Sequence, residues 1–179
     1  SNGELSISRY CWLTNQPMLK LKTNQEYEEA FRDVFKEAVS SKLRTHREVG
    51  GHLSGGLDSG AVVSFAAKEL RNEKKTLHTY SYIPPKEFED WTPGNRLANE
   101  EPYIKSTVNY VGNIKDHYLD FNDVDPIEEI SDWIEMMEMP YKFFANSNWI
   151  NGIYKAANNH NIGVLLNGGR GNLSISWGS

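Results

Sequence analysis

The stretch Val49-Gly50-Gly51-His52-Leu53-Ser54-Gly55-Gly56-Leu57-Asp58-Ser59-Gly60-Ala61-Val62-Val63 decides the fold. Val49 to Leu53 is a short apolar run, and Gly60, Ala61, Val62, Val63, Phe65, Ala66, Ala67 and Leu70 follow the glycine-rich turn at helical spacing. The segment therefore reads strand, loop, helix. Glycines at 55 and 56 let the backbone approach an anion closely, and the first amides of the following helix point toward it. Ser54 and Ser59 add hydroxyl donors. Asp58 has the wrong charge for a phosphate neighbour unless it holds a divalent cation shared with phosphate oxygens, so Mg2+ is implied. A tight turn whose glycines serve packing alone is the plain alternative. A Ser-Gly-Gly-x-Asp-Ser pattern arises by chance on the order of once in several thousand chains of this length, and its strand-before, helix-after setting favours anion binding. No Gly-Lys-Ser/Thr follows the glycines, which argues against a loop built for transfer of a γ-phosphate.

Working outward, Tyr27, Ala30, Phe31, Val34, Phe35, Ala38 and Val39 form an apolar stripe. Thr23 and Glu26 make a capping box, and Lys42, Arg44 and Arg47 gather where a helix dipole favours cations, which predicts a helix from 24 to 46. Leu77 to Ile83 reads as a strand. The Pro-rich loop from Pro84 to Ala98 is long enough to serve as a flap over a site. A helix follows from about Asn99, with Glu100, Glu101 and Pro102 in its first turn and Gly112 at its end. Ile114 to Leu119 reads as a strand, Pro126 to Met139 and Ser147 to His160 as helices, and Ile162 to Leu166 as a strand. The expected class is α/β, a doubly wound parallel sheet with helices on both faces and ligands beyond the carboxyl ends of the strands. The loop at 54–59 and the second glycine-rich segment, Asn167-Gly168-Gly169-Arg170-Gly171, then lie on that same edge.

The 179 residues carry a net charge of −5 and no Lys/Arg run, which argues against nucleic acid as a partner. Cys11 is the single cysteine, so neither an internal disulfide nor a multi-cysteine zinc site can form; it reads as an inert thiol in a reducing, cytoplasmic setting. No apolar run is long enough for a membrane span and no signal peptide is evident. Ser1-Asn2 reads as a cleavage scar, and the close at Trp177-Gly178-Ser179 reads as that of an excised fragment.

The Ser54–Ser59 loop resembles the ATP-pyrophosphatase loop of the adenine nucleotide alpha-hydrolase-like superfamily, and in particular the synthetase domain of glutamine-hydrolysing asparagine synthetases. The resemblance extends over the helix before the loop, the strand Leu77-His78-Thr79-Tyr80-Ser81-Tyr82 and the strand end Leu165-Leu166-Asn167-Gly168-Gly169. It implies ATP with Mg2+, cleaved between the α and β phosphates to activate a carboxylate, aspartate or a related small molecule, which ammonia from a glutaminase domain then converts to an amide. By position it makes Ser54, Gly55, Gly56, Asp58 and Ser59 the pyrophosphate loop with Asp58 on the metal. The backbone around His52, Leu53 and Tyr82 becomes the adenosine contact, and Asn167 and Gly168 the second nucleotide turn. Residues 1–22, around Arg9-Tyr10-Cys11-Trp12, would be the linker after an absent glutaminase domain. Residues 23–179 would be the synthetase-like domain, truncated at its C-terminus and inactive as isolated.

Two positions depart from that pattern. Where the family carries a catalytic Glu and a second metal-binding Asp, this chain has Gly169 and Asn172, and Asn172 can supply an oxygen but neither charge nor base. Arg170 brings a fixed cation suited to a phosphate or a substrate carboxylate, and is taken with Asp58 as catalytic. The expectation is a related synthetase with a different acceptor, as in peptide macrocyclisation, or else a degenerate nucleotide-binding or assembly module. His46, His52, His78, His117 and His160 lack metal-ligand spacing, and His52 and His78 read as core histidines. The acidic group Asp123, Asp125, Glu128, Glu129 and Asp132 reads as a solvated helix start, and Trp133, Met136, Met137 and Met139 as a core stripe. Glu100 and Glu101 are candidates for a substrate or metal role; Asn146, Ser147 and Asn148 read first as helix caps.

Overall fold

The computed structural model describes residues 3, 5–12, 16–94, 96–125, 127–140 and 144–176, with backbone only at 144 and 145. The scar at Ser1-Asn2, the proposed helix start at Pro126 and the close at 177–179 lie outside the described residues. The chain divides into two units, 1–35 and 36–179.

The first unit holds most of α1 (Asn24–Ser40), which continues into the second. The capping box forms as the sequence requires: Glu26 N–H donates to Thr23 Oγ1 at 3.2 Å, and Thr23 N–H to Glu26 Oε2 at 3.0 Å. The helix ends six residues before the expected limit of 46. Ser41 N–H still reaches Glu37 O, but Lys42 and Leu43 donate only three residues back, tightening the last turn as Leu43 turns inward. Lys42, Arg44 and Arg47 therefore lie beyond the helix, which has no basic residue in its last turn.

The second unit is built on four parallel strands, β1 (Glu48–His52), β2 (Leu77–Tyr82), β3 (Ile114–Leu119) and β4 (Ile162–Leu166), in the order β3-β2-β1-β4. α2 (Leu57–Asn72) connects β1 to β2, and α3 (Glu101–Val111) connects β2 to β3. α4 (Glu128–Met137) and α5 (Phe144–Asn159) precede β4. The strand order reverses beside β1, so the crevice between the ends of β1 and β4 is the topological switch point. This is the expected doubly wound α/β class.

The paired glycines of β1 let both layers close on it. On one face a Cβ at Gly51 would stand 3.2 Å from Val63 of α2; on the other, a Cβ at Gly50 would meet Leu165, Ile162 and Tyr80 at 3.0–3.1 Å. Val63, Ala66, Ala67 and Leu70 of α2 are buried, as are Val49, Leu77 and Ile104. Tyr80, Ile153, Ala157 and Ile162 form a core cluster beneath α5. α3 ends where expected, with Gly112 at φ +63°, a conformation that suits glycine.

The helical region after β3 differs from its sequence reading. Glu129 is buried rather than solvated, accepting from Asn151 Nδ2 and Lys155 Nζ, both at 2.8 Å. This polar pairing fastens α4 to α5. Met136, Met137 and Met139 are exposed, Met136 by 73%, so the methionines are not core. α5 starts ahead of Ser147, which places Asn146, Ser147 and Asn148 inside its first turns rather than at its cap. Among the described residues no helix is long and apolar enough to cross a membrane.

Filling the space at Gly50 forces either Tyr80 or β4 outward. Gly50→Val is expected to lower stability in urea unfolding by about 1–3 kcal/mol. Gly60→Ala, in α2 with open space at its Cβ, is expected to raise it by up to about 1 kcal/mol.

Candidate active site

At the switch point a cleft of about 670 Å3 is lined by His52, Leu53, Ser54, Gly56, Asp58 and Ser59 from the first strand end and loop, and by Asn167, Gly168, Gly169, Arg170 and Asn172 from the second. Tyr80, Tyr82, Glu100, Trp149 and Tyr154 complete its walls together with isoleucines of α5. Both glycine-rich segments meet there, as expected. Among the described residues no position from 84 to 98 lines the cleft.

The first loop is braced by its own hydroxyls. Ser59 Oγ accepts from Ser54 N–H at 3.0 Å and lies 2.8 Å from Ser54 Oγ, while Gly56 N–H donates to Ser54 Oγ at 3.2 Å. The serines thus shape the turn as well as offering oxygens to it. Gly55 N–H points outward and donates to Glu100 Oε2 at 3.0 Å. The loop amide thus donates to a carboxylate at the start of α3. Glu101 turns away and pairs with Lys105, so the structure brings only one of the two candidate glutamates to the site.

The second loop closes against the first with no room for side chains. A Cβ at Gly168 would stand 2.6 Å from Ser59 N, and one at Gly171 would overlap the Asp58 carboxyl. Between them Gly169 N–H donates to Asn167 Oδ1 at 2.9 Å, and a Cβ at Gly169 would meet the same oxygen at 2.7 Å. An acidic side chain at 169 would thus require Asn167 to rotate out of this turn. Arg170 takes a left-handed backbone, φ +66°, which a non-glycine residue adopts at some energetic cost and which carries it to the cleft wall.

Asp58 sits in the first turn of α2, and its Oδ1 is buried without a hydrogen-bond partner among the described residues. A buried carboxylate oxygen without a donor is costly unless a cation or an added donor completes it. Position and chemistry fit a hard divalent ion shared with phosphate oxygens.

On the opposite wall Tyr82 stacks between Trp149 and Phe121, at centroid distances of 5.9 and 6.2 Å. His52 faces Trp149 and Tyr154 at 6.4 and 6.0 Å, and its Nε2 is buried without a partner among the described residues. Burial lowers the His52 pKa, so the ring is neutral at pH 7 and can donate or accept. His52 is therefore a cleft residue rather than a satisfied core histidine. Trp149 and Tyr154 escaped the sequence reading because helical spacing alone does not say which aromatic side chains of α5 overhang a strand end.

The histidines also differ from expectation. His78 of β2, His117 of β3 and His160 after α5 converge beneath the sheet, with one possible ligand atom from each lying within 4.8 Å of the others. Strand register aligns His117 with Tyr80, and Tyr80 Oη lies 2.9 Å from His160 Nδ1. Sequence spacing could not reveal the trio because its members come from three separate elements.

The fold and the cleft define a doubly wound α/β domain with a glycine-rich loop and an aspartate oxygen left unpartnered among the described residues at its switch point. The chain belongs to the asparagine synthase family, whose model matches residues 30–172. It is a family of ATP-using ligases. Asparagine synthetase [glutamine-hydrolyzing] 2 of Bacillus subtilis (strain 168) is 40% identical over 60 residues, a stretch that makes up 34% of this chain and 7% of that protein. Among solved structures, the NH3-dependent NAD synthetase of Campylobacter jejuni subsp. jejuni NCTC 11168, in complex with nitrate ion, is 16% identical with a TM-score of 0.46. That likeness covers 87% of this chain and 61% of the other. NAD+ synthetase of Burkholderia pseudomallei is 14% identical, with a TM-score of 0.45 over 76% of this chain and 51% of its own.

Because Glu100 competes for the Gly55 amide, Glu100→Ala is expected to tighten binding of inorganic pyrophosphate by roughly tenfold in isothermal titration, the value of one charge-assisted hydrogen bond. Folding lowers the pKa values of His52, His78 and His117, chiefly through burial. Below the ordinary value of 6.5 the unfolded chain then binds more protons than the native one. Stability is therefore expected to fall as pH drops from 6.5 through the lowered native values and to level off above 6.5, as followed by thermal melts across that range.

Proposed function

We propose that this domain uses ATP and Mg2+ to activate a carboxylate as its adenylate and to pass the acyl group to an amine, forming an amide. One observation carries the reading: the buried, unpartnered Asp58 Oδ1 lies in the same cleft as a loop whose Gly55 amide already holds a carboxylate. A cation-holding oxygen beside an anion-holding amide suits a nucleotide triphosphate with its metal. ATP supplies the adenylyl group and its pyrophosphate leaving group.

In this reading the loop amides at 55 and 56 and the Ser54 hydroxyl hold pyrophosphate oxygens once Glu100 withdraws, and Asp58 holds Mg2+. The aromatic wall of Tyr82 and Trp149 flanks the base, with His52 Nε2 and the Leu53 backbone beside it and Asn167 and Gly168 on the other side. Arg170 offsets negative charge on the phosphates or on the incoming carboxylate. The carboxylate oxygen bonds to the α-phosphorus as the bond to pyrophosphate breaks. The amine nitrogen then bonds to the acyl carbon, AMP leaves, and the nitrogen loses a proton. Gly169 and Asn172 supply no carboxylate for that proton, which favours an acceptor and amine other than aspartate and ammonia, with the ends of a peptide as one such pair. Aspartate with glutamine-derived ammonia, delivered from a glutaminase domain, is the form the family resemblance suggests.

The test is exchange of labelled pyrophosphate into ATP by the full-length protein, across free amino acids and peptides bearing acidic side chains. Exchange dependent on one carboxylate, and reduced at least about 100-fold in Asp58→Ala, is the expected outcome. The same two missing carboxylates also suit a domain that binds nucleotide without turnover. ATP binding with no exchange for any carboxylate would establish that second reading.

A further inference from the structure

Beneath α5, clear of the phosphate loop, His78, His117 and His160 are brought together by three elements that share no sequence motif. We infer that this trio is a binding site for a single borderline transition-metal ion of the Zn2+ class. His117 Nε2 and His78 Nδ1 lie 3.2 Å apart, and one ring nitrogen from each of the three histidines lies within 4.8 Å of the others. Two imidazole nitrogens on a tetrahedral ion at 2.0–2.1 Å stand about 3.3 Å apart, so the first pair is already at coordinating distance. His160, exposed just after α5, completes the trio.

The surroundings suit the ion. Burial is the main cause that lowers the pKa values of His78 and His117; Lys115 and His160 add to it, and Glu48 at His78 and Asp116 at His117 oppose it. Tyr80 Oη on His160 Nδ1 orients that ring in the way an outer partner orients a metal-bound imidazole. Tyr80 is fully buried, so it is a fixed support. With three protein ligands, the fourth position opens beside the exposed His160 to water. Imidazole ligands select Zn2+, Co2+ or Ni2+ over Mg2+, so the site is chemically distinct from Asp58. The ion would tie α5 to β2 and β3, and because Tyr80 also lines the cleft, it would stiffen the cleft floor.

Cobalt(II) titration of the full chain, freed of any affinity tag and stripped with chelator, tests this. The site predicts intense visible bands of four-coordinate cobalt that saturate at one equivalent and are displaced by Zn2+. His117→Asn and His160→Ala should each weaken binding at least 100-fold, and Tyr80→Phe about tenfold, the usual cost of losing an outer partner. Asp58→Ala should leave the spectrum unchanged, which separates this site from the nucleotide reading. Because His160 is exposed, its variant retains the fold and decides the matter even if His117→Asn does not fold. Absence of the bands, or bands that persist in His160→Ala, would overturn the proposal and leave the trio as stacked, hydrogen-bonded imidazoles.

Discussion

Where Gly168 and Gly171 meet the first turn of α2, the second glycine-rich loop lies against Asp58 and Ser59 with no space for a side-chain carbon. That contact joins β4 to β1 at the one place where the strand order reverses, and the cleft exists because of it. Asp58 itself packs hard against that backbone: a side-chain carbon at 171 would overlap its carboxyl. Asp58 Oδ1 is left buried without a hydrogen-bond partner among the described residues, beside a loop whose Gly55 amide is taken by Glu100.

The remainder of the unit keeps that contact in place. Gly50 and Gly51 thin β1 so that Tyr80 on one side and α2 on the other close tightly on it, fixing the direction in which the loop leaves the strand. Leu53 N–H bonds to Tyr80 O at 3.0 Å and extends the ladder one residue into the loop. Glu100, at the start of α3, satisfies the Gly55 amide and ties the loop to that helix.

Much of this was legible in the sequence, because it rests on local rules. Glycine pairs, a capping box and short apolar runs identified all four strands and the class of fold, and the β3 and β4 limits were read without error. What escaped depended on contacts between distant segments. The three histidines gather only through the register of β2 and β3 and the end of α5. Glu129 is buried because Asn151 and Lys155 rise to meet it from another helix, and no pattern in its own helix signals that. The methionine spacing was helical as read, but periodicity gives a face and not the partner that covers it. The departures at 169 and 172 were visible as letters; the structure adds that Gly169 is held by the Asn167 turn, so the altered loop is a packed arrangement of its own.

The central claim is that one cleft holds both an anion at Gly55 and a cation at Asp58. A crystal structure of the chain with α,β-methylene-ATP and Mg2+ tests it most directly. The account predicts phosphate oxygens in place of the Glu100 carboxylate at Gly55 and the metal bound to Asp58 Oδ1, with the base against Tyr82 and Trp149. Nucleotide bound elsewhere, or bound with Glu100 still on Gly55 and no metal at Asp58, would contradict it.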